Sequence, residues 1–201
     1  MSKAGAARHV NACFGSPARG GGGSAYYLRV EGLDKDYWLD LSVKKSATLD
    51  DLDAFLRDVW LECCGHLSAF SVNGRRYESE EHGNTHGGTR STKAPVGTVL
   101  AAGSTAGYEY DFGSTTELRI KVVSEIDVHE PCKAVELLAR NNPPKIDCEC
   151  GIAANCFCVE CDSALCAKCA AGHRGCDETM RLPVVNSPRT GVCGYCGPYK
   201  E

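Results

Sequence analysis

Residues 148–176, in the C-terminal part of the chain, read CECGIAANCFCVECDSALCAKCAAGHRGC. They contain four closely spaced ligand pairs, which are Cys148 and Cys150, Cys158 and Cys161, Cys166 and Cys169, and His173 and Cys176. Such a pair lets both side chains reach one ion while amides of the tight turn donate to the sulfurs, and two pairs complete a tetrahedral zinc shell. The spacing therefore predicts a zinc-binding module with two ions.

These ligand pairs can be combined in more than one way. An interleaved cross-brace joins the first pair to the third and the second pair to the fourth, and this is the favoured arrangement. A sequential arrangement is the alternative, and Cys156 can replace a member of the first pair, whose one-residue spacing is tight. Cys193 and Cys196 form a further Cys-x-x-Cys, whose spacing fits structural thiols and metal ligands equally well. A third site would need them to borrow Cys156.

A closed shell of four protein ligands leaves no open position for water or substrate, so these sites are expected to be structural. The segment is too short to bury a sufficient core, and zinc supplies the missing stabilisation. Removal of the metal should therefore unfold this module first. Dithiol exchange is the main rival interpretation of a Cys-x-x-Cys pair, but no βαβ pattern accompanies the pairs.

Composition supports a metal rather than a disulfide framework. Of the 14 cysteines, ten fall in the last 54 residues. The sequence has no apolar run of about 18 residues and no apolar core of a secretory signal, so a cytoplasmic protein without membrane segments is expected. Clustered cysteines in that reducing compartment favour metal thiolates. The formal net charge of -4 disfavours non-specific binding to nucleic acid.

The rest of the chain divides into two further parts. Residues 1–24 end in a glycine run and predict a disordered tail. Residues 25–142 predict an α+β domain, and Pro143-Pro144 marks its boundary with the zinc-stabilised cysteine-rich module at 143–201.

The α+β domain shows the patterns of strands and of one covering helix. Alternating apolar residues predict a hairpin over 26–43, and a second hairpin around the turn signal Asn73-Gly74. A capping box at Thr48 opens an amphipathic helix from Leu49 to Cys63. Two more strands follow at 108–112 and 118–122, and a short helix is predicted between 130 and 142. This order is typical of a β-grasp-like sheet.

Three segments carry a resemblance to a known family. They are Tyr108-Glu109-Tyr110-Asp111-Phe112-Gly113, His66-Leu67-Ser68-Ala69-Phe70 after Trp60, and the segment from Leu182 to Tyr195, which reads LPVVNSPRTGVCGY. Together they resemble the plasmid pRiA4b ORF-3-like family, also described as an insertion-element passenger family. The resemblance implies a β-grasp-like α+β domain and, in longer members, a cysteine-rich tail. It implies no established biochemical activity.

The function favoured by these features is a zinc-stabilised protein-interaction or adaptor module, whose partner is a protein rather than nucleic acid. From Lys145 to Glu201 there are six Lys or Arg and seven Asp or Glu, a balance that gives DNA binding little help. One alternative is an enzyme, either a thiol oxidoreductase or a hydrolase that uses His66 with Asp111, although no nucleophile motif supports the latter. A nucleic-acid-binding protein linked to mobile elements is a further alternative. The sequence patterns favour a binding role over an enzymatic one without excluding an enzyme.

Overall fold

The computed structural model describes residues 3–14, 23–34, 36–79, 88–128 and 132–198. It divides into two compact units. The first unit is Met1–Leu56 with Leu67–Asn141, and the second unit is Arg57–His66 with Asn142–Glu201. The longer segment of the second unit begins at Asn142, next to the predicted boundary at Pro143-Pro144. The second unit also includes Arg57–His66, which the sequence patterns place in the α+β domain.

The first unit is built on an eight-stranded sheet. In chain order the strands are β1 (Ala25–Gly32), β2 (Trp38–Lys44), β3 (Ser68–Val72), β4 (Arg75–Glu78), β5 (Arg90–Ser91), β6 (Thr105–Tyr110), β7 (Thr116–Ile126) and β8 (Val135–Arg140). Their spatial order is β5-β4-β3-β6-β7-β1-β2-β8. All neighbouring pairs are antiparallel except β4 with β5. The α+β class is confirmed, and the narrower β-grasp assignment stays a prediction.

The predicted hairpins form as the local sequence requires. β1 pairs with β2 from Ala25 opposite Lys44 to Glu31 opposite Trp38. The β3–β4 hairpin turns at Asn73 and Gly74, whose φ angles of 50° and 72° match the left-handed turn that this dipeptide favours. Alternation of apolar side chains along β1, β2 and β7 builds a core of residues that are fully buried.

The covering helix begins where the capping box predicts. The backbone N–H of Asp51 donates to Thr48 Oγ1, and the N–H of Thr48 donates to Asp51 Oδ2 at 2.8 Å. Helix α2 (Leu49–Leu56) buries Leu49, Leu52 and Leu56, and the chain continues as a π-helical turn over Arg57–Leu61. The helical segment therefore ends before Cys63, earlier than its apolar periodicity indicates.

Two segments differ from the sequence-based expectations. Residues Lys3–Phe14 form helix α1 within the predicted tail, because Val10 packs against Ala25, Tyr27 and Ile126 and this burial offsets the chain entropy. In the described part of residues 130–142, the chain forms strand β8 instead of a helix. Pairing with β2 satisfies the backbone of both strands, which outweighs a weak local helix propensity.

The second unit has a small sheet of its own, in the order β10-β9-β11. Its strands are β9 (Cys156–Cys158), β10 (Ser163–Leu165) and β11 (Arg181–Pro183). Helix α3 (Val96–Val99) belongs to the first unit, and helix α4 (Ala167–Gly172) follows β10 in the second unit. A single 3₁₀ turn, Glu178–Met180, leads into β11. Among the described residues, no helix is long and apolar enough to cross a membrane.

A glycine near the C-terminal end of the second unit gives a direct test of its packing. A Cβ added at Gly191 would lie 2.5 Å from Phe157 Cδ1, and Gly191 has a φ of 75°. We expect Gly191→Ala to lower the free energy of unfolding of the second unit by about 2 kcal/mol or more, from overpacking and backbone strain together. Gly194→Ala is the matched control, because its added Cβ meets nothing within 4 Å. Denaturant titrations that give equal midpoints for both variants would contradict the expectation.

Candidate metal centre

The first group of possible ligands consists of Cys148, Cys150, Cys166 and Cys169, whose sulfurs all lie within 4.8 Å of one another. Two turns present them. The first turn is closed by the N–H of Gly151, which donates to the carbonyl of Cys148 at 2.8 Å. The second begins at Cys166, which precedes α4. The structure thus brings the first and third sequence pairs together.

Sulfur separations in this group suit a bound ion. Cys150 Sγ and Cys166 Sγ are 3.6 Å apart. A disulfide bond is about 2.05 Å long, so these sulfurs are not bonded to each other. Four sulfurs at about 2.3 Å from a tetrahedral zinc ion are separated by about 3.8 Å, which is close to the observed distance. The cysteines with described side chains form no disulfide with one another.

The second group is Cys158, Cys161, His173 and Cys176, and its donor atoms also lie within 4.8 Å of one another. Cys158 ends the central strand β9 and is fully buried. Cys161 Sγ is 3.5 Å from His173 Nε2. A thiolate and an imidazole on one tetrahedral zinc ion are separated by about 3.6 Å. The second and fourth sequence pairs therefore also meet, and the two groups interleave along the chain.

An arginine holds the histidine of the second group in place. Arg181, the first residue of β11, donates from Nη1 to the carbonyl of Ala170 and from Nη2 to the carbonyl of His173, each at 3.0 Å. These carbonyls lie at the C-terminal end of α4, where a cation is favourable. The small sheet and the helix are thereby joined beside the ligand.

Backbone amides favour the thiolate form of one cysteine in each group. The N–H of Cys150 is the largest influence on Cys148 and lowers its pKa to about 6. The N–H of Cys161 acts in the same way on Cys158, whose pKa is also lowered to about 6. Because metals bind the thiolate and not the thiol, these turns prepare one ligand in each group for an ion.

Other sulfurs in the two groups hold their protons more tightly. Hydrogen bonding to Cys150, and then to Cys148, raises the pKa of Cys169 to about 12. Burial is the largest influence on Cys176 and raises its pKa to about 12. Three or four thiolates cannot share so small a space without a cation, so binding of an ion must displace these protons.

A third group, which the sequence patterns do not predict, consists of Cys63, Cys64, His66 and Cys193, again with donor atoms within 4.8 Å of one another. Cys193 Sγ lies 3.4 Å from His66 Nε2. Hydrogen bonding to the adjacent Cys63 raises the pKa of Cys64 to about 11. The sequence signal for this group is the tetrapeptide Cys63-Cys64-Gly65-His66, which holds three possible ligands, two cysteines and one histidine, within four residues.

The remaining cysteines of the C-terminal pairs have other contacts. Cys156 Sγ lies 3.7 Å from the carbonyl of Leu165, and burial raises the pKa of Cys156. Cys196 Sγ lies 3.3 Å from the carbonyl of Gly194. Both sulfurs lie outside the three groups that the described residues form, so the alternatives in which Cys156 is a ligand are not the arrangement observed.

The residues considered for hydrolysis have structural contacts. Asp111 Oδ1 accepts hydrogen bonds from the N–H groups of Gly113 and Ser114, at 3.0 and 3.2 Å, and so closes a turn. His66 belongs to the third group. Among the described residues, three cysteine and histidine groups are thus positioned to hold a metal ion, each with four possible ligands.

The comparisons with known proteins cover much of the chain. The sequence profile of the family described as plasmid pRiA4b ORF-3-like protein matches residues 25–154. A crystal structure of a protein of unknown function, MM3350 from Methanosarcina mazei Go1, is similar with a TM-score of 0.52 and 21% identity. The similarity covers 58% of this chain and 68% of that chain, and at this identity it concerns the fold. No curated protein matches the chain. Because the family profile spans more than half of its residues, the chain belongs to the plasmid pRiA4b ORF-3-like family.

Proposed function

We propose that this chain is a zinc-binding protein in which the first and second groups each hold one structural Zn²⁺, and that it acts as a protein-interaction module in the cytoplasm. The observation that carries the proposal is the interleaving of two four-ligand groups around the small sheet β10-β9-β11. Each group takes ligands from two separate turns, so that an ion in each holds distant parts of the module together.

The ligand chemistry favours zinc. The first group offers four thiolates, and the second offers three thiolates and one imidazole. Such soft ligands in tetrahedral spacing suit zinc, and they do not suit magnesium or calcium, which prefer oxygen ligands. Four thiolates can also hold iron, and elemental analysis distinguishes zinc from iron in the first group.

A binding role follows from the number of ligands. With four protein ligands each, the two sites leave no position open for a substrate or an activated water, as a catalytic zinc site requires. The net charge of -4 gives no field that would attract phosphate, which favours a protein partner over nucleic acid. Strand β8 lies at the end of the large sheet and can accept an extended segment of such a partner by strand addition.

Native mass spectrometry with elemental analysis, on the full chain, tests the metal proposal. We expect bound zinc, and we expect the eight cysteine and histidine ligands of the two groups to be protected, with their cysteines resisting alkylation until a chelator is added. The exposed Cys196 is the internal control and should be labelled at once. Immediate alkylation of Cys158 and Cys161 together with reduction of a disulfide substrate would instead establish a thiol oxidoreductase.

A further inference from the structure

We infer that the third group, Cys63, Cys64, His66 and Cys193, is a separate metal site that joins the segment after the π-helical turn to the C-terminal segment of the second unit. This site goes beyond the two structural ions proposed above. Its ligands are three cysteine sulfurs and one imidazole, the same set that the second group offers. It would therefore hold one thiophilic divalent cation, of which zinc is the most available.

The local backbone gives the first three ligands their direction. The π-helical turn ends at Leu61, and the N–H of Glu62 still donates to the carbonyl of Arg57. Gly65 then takes a φ of 69° while its N–H donates to Glu62 Oε1 at 2.6 Å. This left-handed glycine reverses the chain between Cys64 and His66, so that side chains near in sequence converge on one point.

The fourth ligand comes from a series of tight turns. The N–H of Val192 donates to the carbonyl of Arg189, and the N–H of Tyr195 donates to the carbonyl of Val192. Between them Cys193 has a φ of 55°, which is unfavourable for a cysteine. Non-glycine residues adopt a left-handed φ where neighbouring contacts hold them there. Here the Cys193 sulfur is held 3.4 Å from His66 Nε2.

A buried arginine supplies a second and independent observation. Arg189 is fully buried, and its Nη2 lies 3.5 Å from Cys63 Sγ. A divalent ion with three thiolates and a neutral imidazole carries one net negative charge, which the guanidinium balances. The same turn is fixed by Ser187, whose Oγ donates to the carbonyl of Trp60 at 2.6 Å and accepts from the N–H of Arg189. A buried cation beside the group thus favours the metal-thiolate form.

Exposure distinguishes the third group from the other two. The first group contains the buried Cys148 and Cys166, and the second contains the buried Cys158, whereas none of the four ligands of the third group is buried. The first two groups each have one exposed cysteine, and the third has two, Cys64 and Cys193. A chelator or a competing thiol therefore reaches the third ion most easily. We expect this ion to exchange first, while the other two remain bound.

The experiment counts ions in the full chain by native mass spectrometry after zinc loading. Wild type should hold three ions, Cys193→Ser two, and the control Cys196→Ser three, since Cys196 Sγ lies outside the group. Serine keeps the size of the side chain, so the strained φ at position 193 changes little. Limited chelation of wild type should expose Cys64 and Cys193 to alkylation before Cys150 or Cys161, the exposed cysteines of the other two groups, is labelled.

Each result has a defined meaning. Two ions in wild type, with Cys64 and Cys193 alkylated as fast as Cys196, would overturn the third site and leave the two structural ions intact. Loss of an ion in Cys196→Ser but not in Cys193→Ser would show a different ligand set and would also overturn the assignment. A chain without any ion would overturn both proposals. Because the alkylation map is measured on wild type, it tests whether the third group binds an ion even if a variant fails to fold.

Discussion

Replacement of Cys158 by serine is expected to release the ion proposed for the second group and unfold the second unit, while the strands of the large sheet stay folded. Cys158 is fully buried in β9 and pairs with Ser163 on one side and Arg181 on the other. Serine at this position removes one of four ligands and places a hydroxyl in a buried site. Structural zinc contributes about 10–16 kcal/mol in zinc-finger peptides, comparable to the whole stability of a domain.

Hydrogen exchange followed by mass spectrometry is the measurement that checks this expectation. Amides of β9, β10 and β11 should lose their protection in Cys158→Ser, and a chelator should have the same effect on wild type. Amides of β1 and β7 at the centre of the large sheet should keep theirs. A variant that retains its full metal content and the protection of β9 would show that the second group is not a structural metal site.

Cys156→Ser is the matched control for this variant. Cys156 lies two residues earlier in the same strand, is partly buried, and has its sulfur near the carbonyl of Leu165 rather than in a ligand group. Its replacement should cost about 1 kcal/mol or less and leave the metal content unchanged. A difference in stability and metal content between Cys158→Ser and Cys156→Ser therefore reports the loss of a metal ligand, and not a general effect of serine in this strand.

Short-range patterns predict much of this molecule because they are decided by neighbouring residues. The capping box at Thr48, the turn at Asn73-Gly74 and the alternation in β1 each depend on a few adjacent positions, and each forms as predicted. The four ligand pairs of the cysteine-rich segment are local in the same sense. Their spacing also favours the interleaved grouping that the structure displays, for which the metal itself stays a prediction.

Contacts between residues that are distant in sequence produce the elements that the local patterns do not predict. Helix α1 depends on the burial of Val10 against Ile126, and β8 depends on the open edge of β2. The third group joins Cys193 to His66 across 127 residues. Apolar periodicity extends the predicted helix to Cys63, whereas the backbone leaves helical geometry after Leu61 and so frees the tetrapeptide that follows. The periodicity therefore places Cys63 on the apolar face of a helix rather than in a ligand group.

The second large effect is expected at a buried ion pair in the first unit. Arg29 on β1 donates from Nε and Nη2 to the two carboxylate oxygens of Asp40 on β2, each at 2.7 Å. The Asp40 side chain is 0% exposed and that of Arg29 is 15% exposed. We expect Asp40→Asn to lower the free energy of unfolding by about 3 kcal/mol, because a largely buried guanidinium loses its counter-charge. Denaturant unfolding of the first unit gives this quantity.

An exposed ion pair in the same sheet supplies the control. Arg76 Nη1 lies 2.9 Å from Glu109 Oε2, with side chains 37% and 38% exposed, so Glu109→Gln should cost less than about 1 kcal/mol. If Asp40→Asn and Glu109→Gln lowered the free energy of unfolding equally, burial would not explain the expected effect at the Arg29–Asp40 pair.

Removal of both charges of the buried pair separates two explanations of its effect. If the cost of Asp40→Asn comes from an uncompensated charge, the double variant Arg29→Met with Asp40→Leu should recover most of the lost stability, since apolar side chains avoid the desolvation penalty. Arg29 also lies over the ring of Trp38, 5.0 Å from its centroid, and methionine keeps an apolar contact there. A double variant as unstable as Asp40→Asn alone would show that the sheet requires the hydrogen bonds themselves. In that case the pair fixes the β1–β2 register, and its loss should also shift the pairing of Leu28 with Leu41.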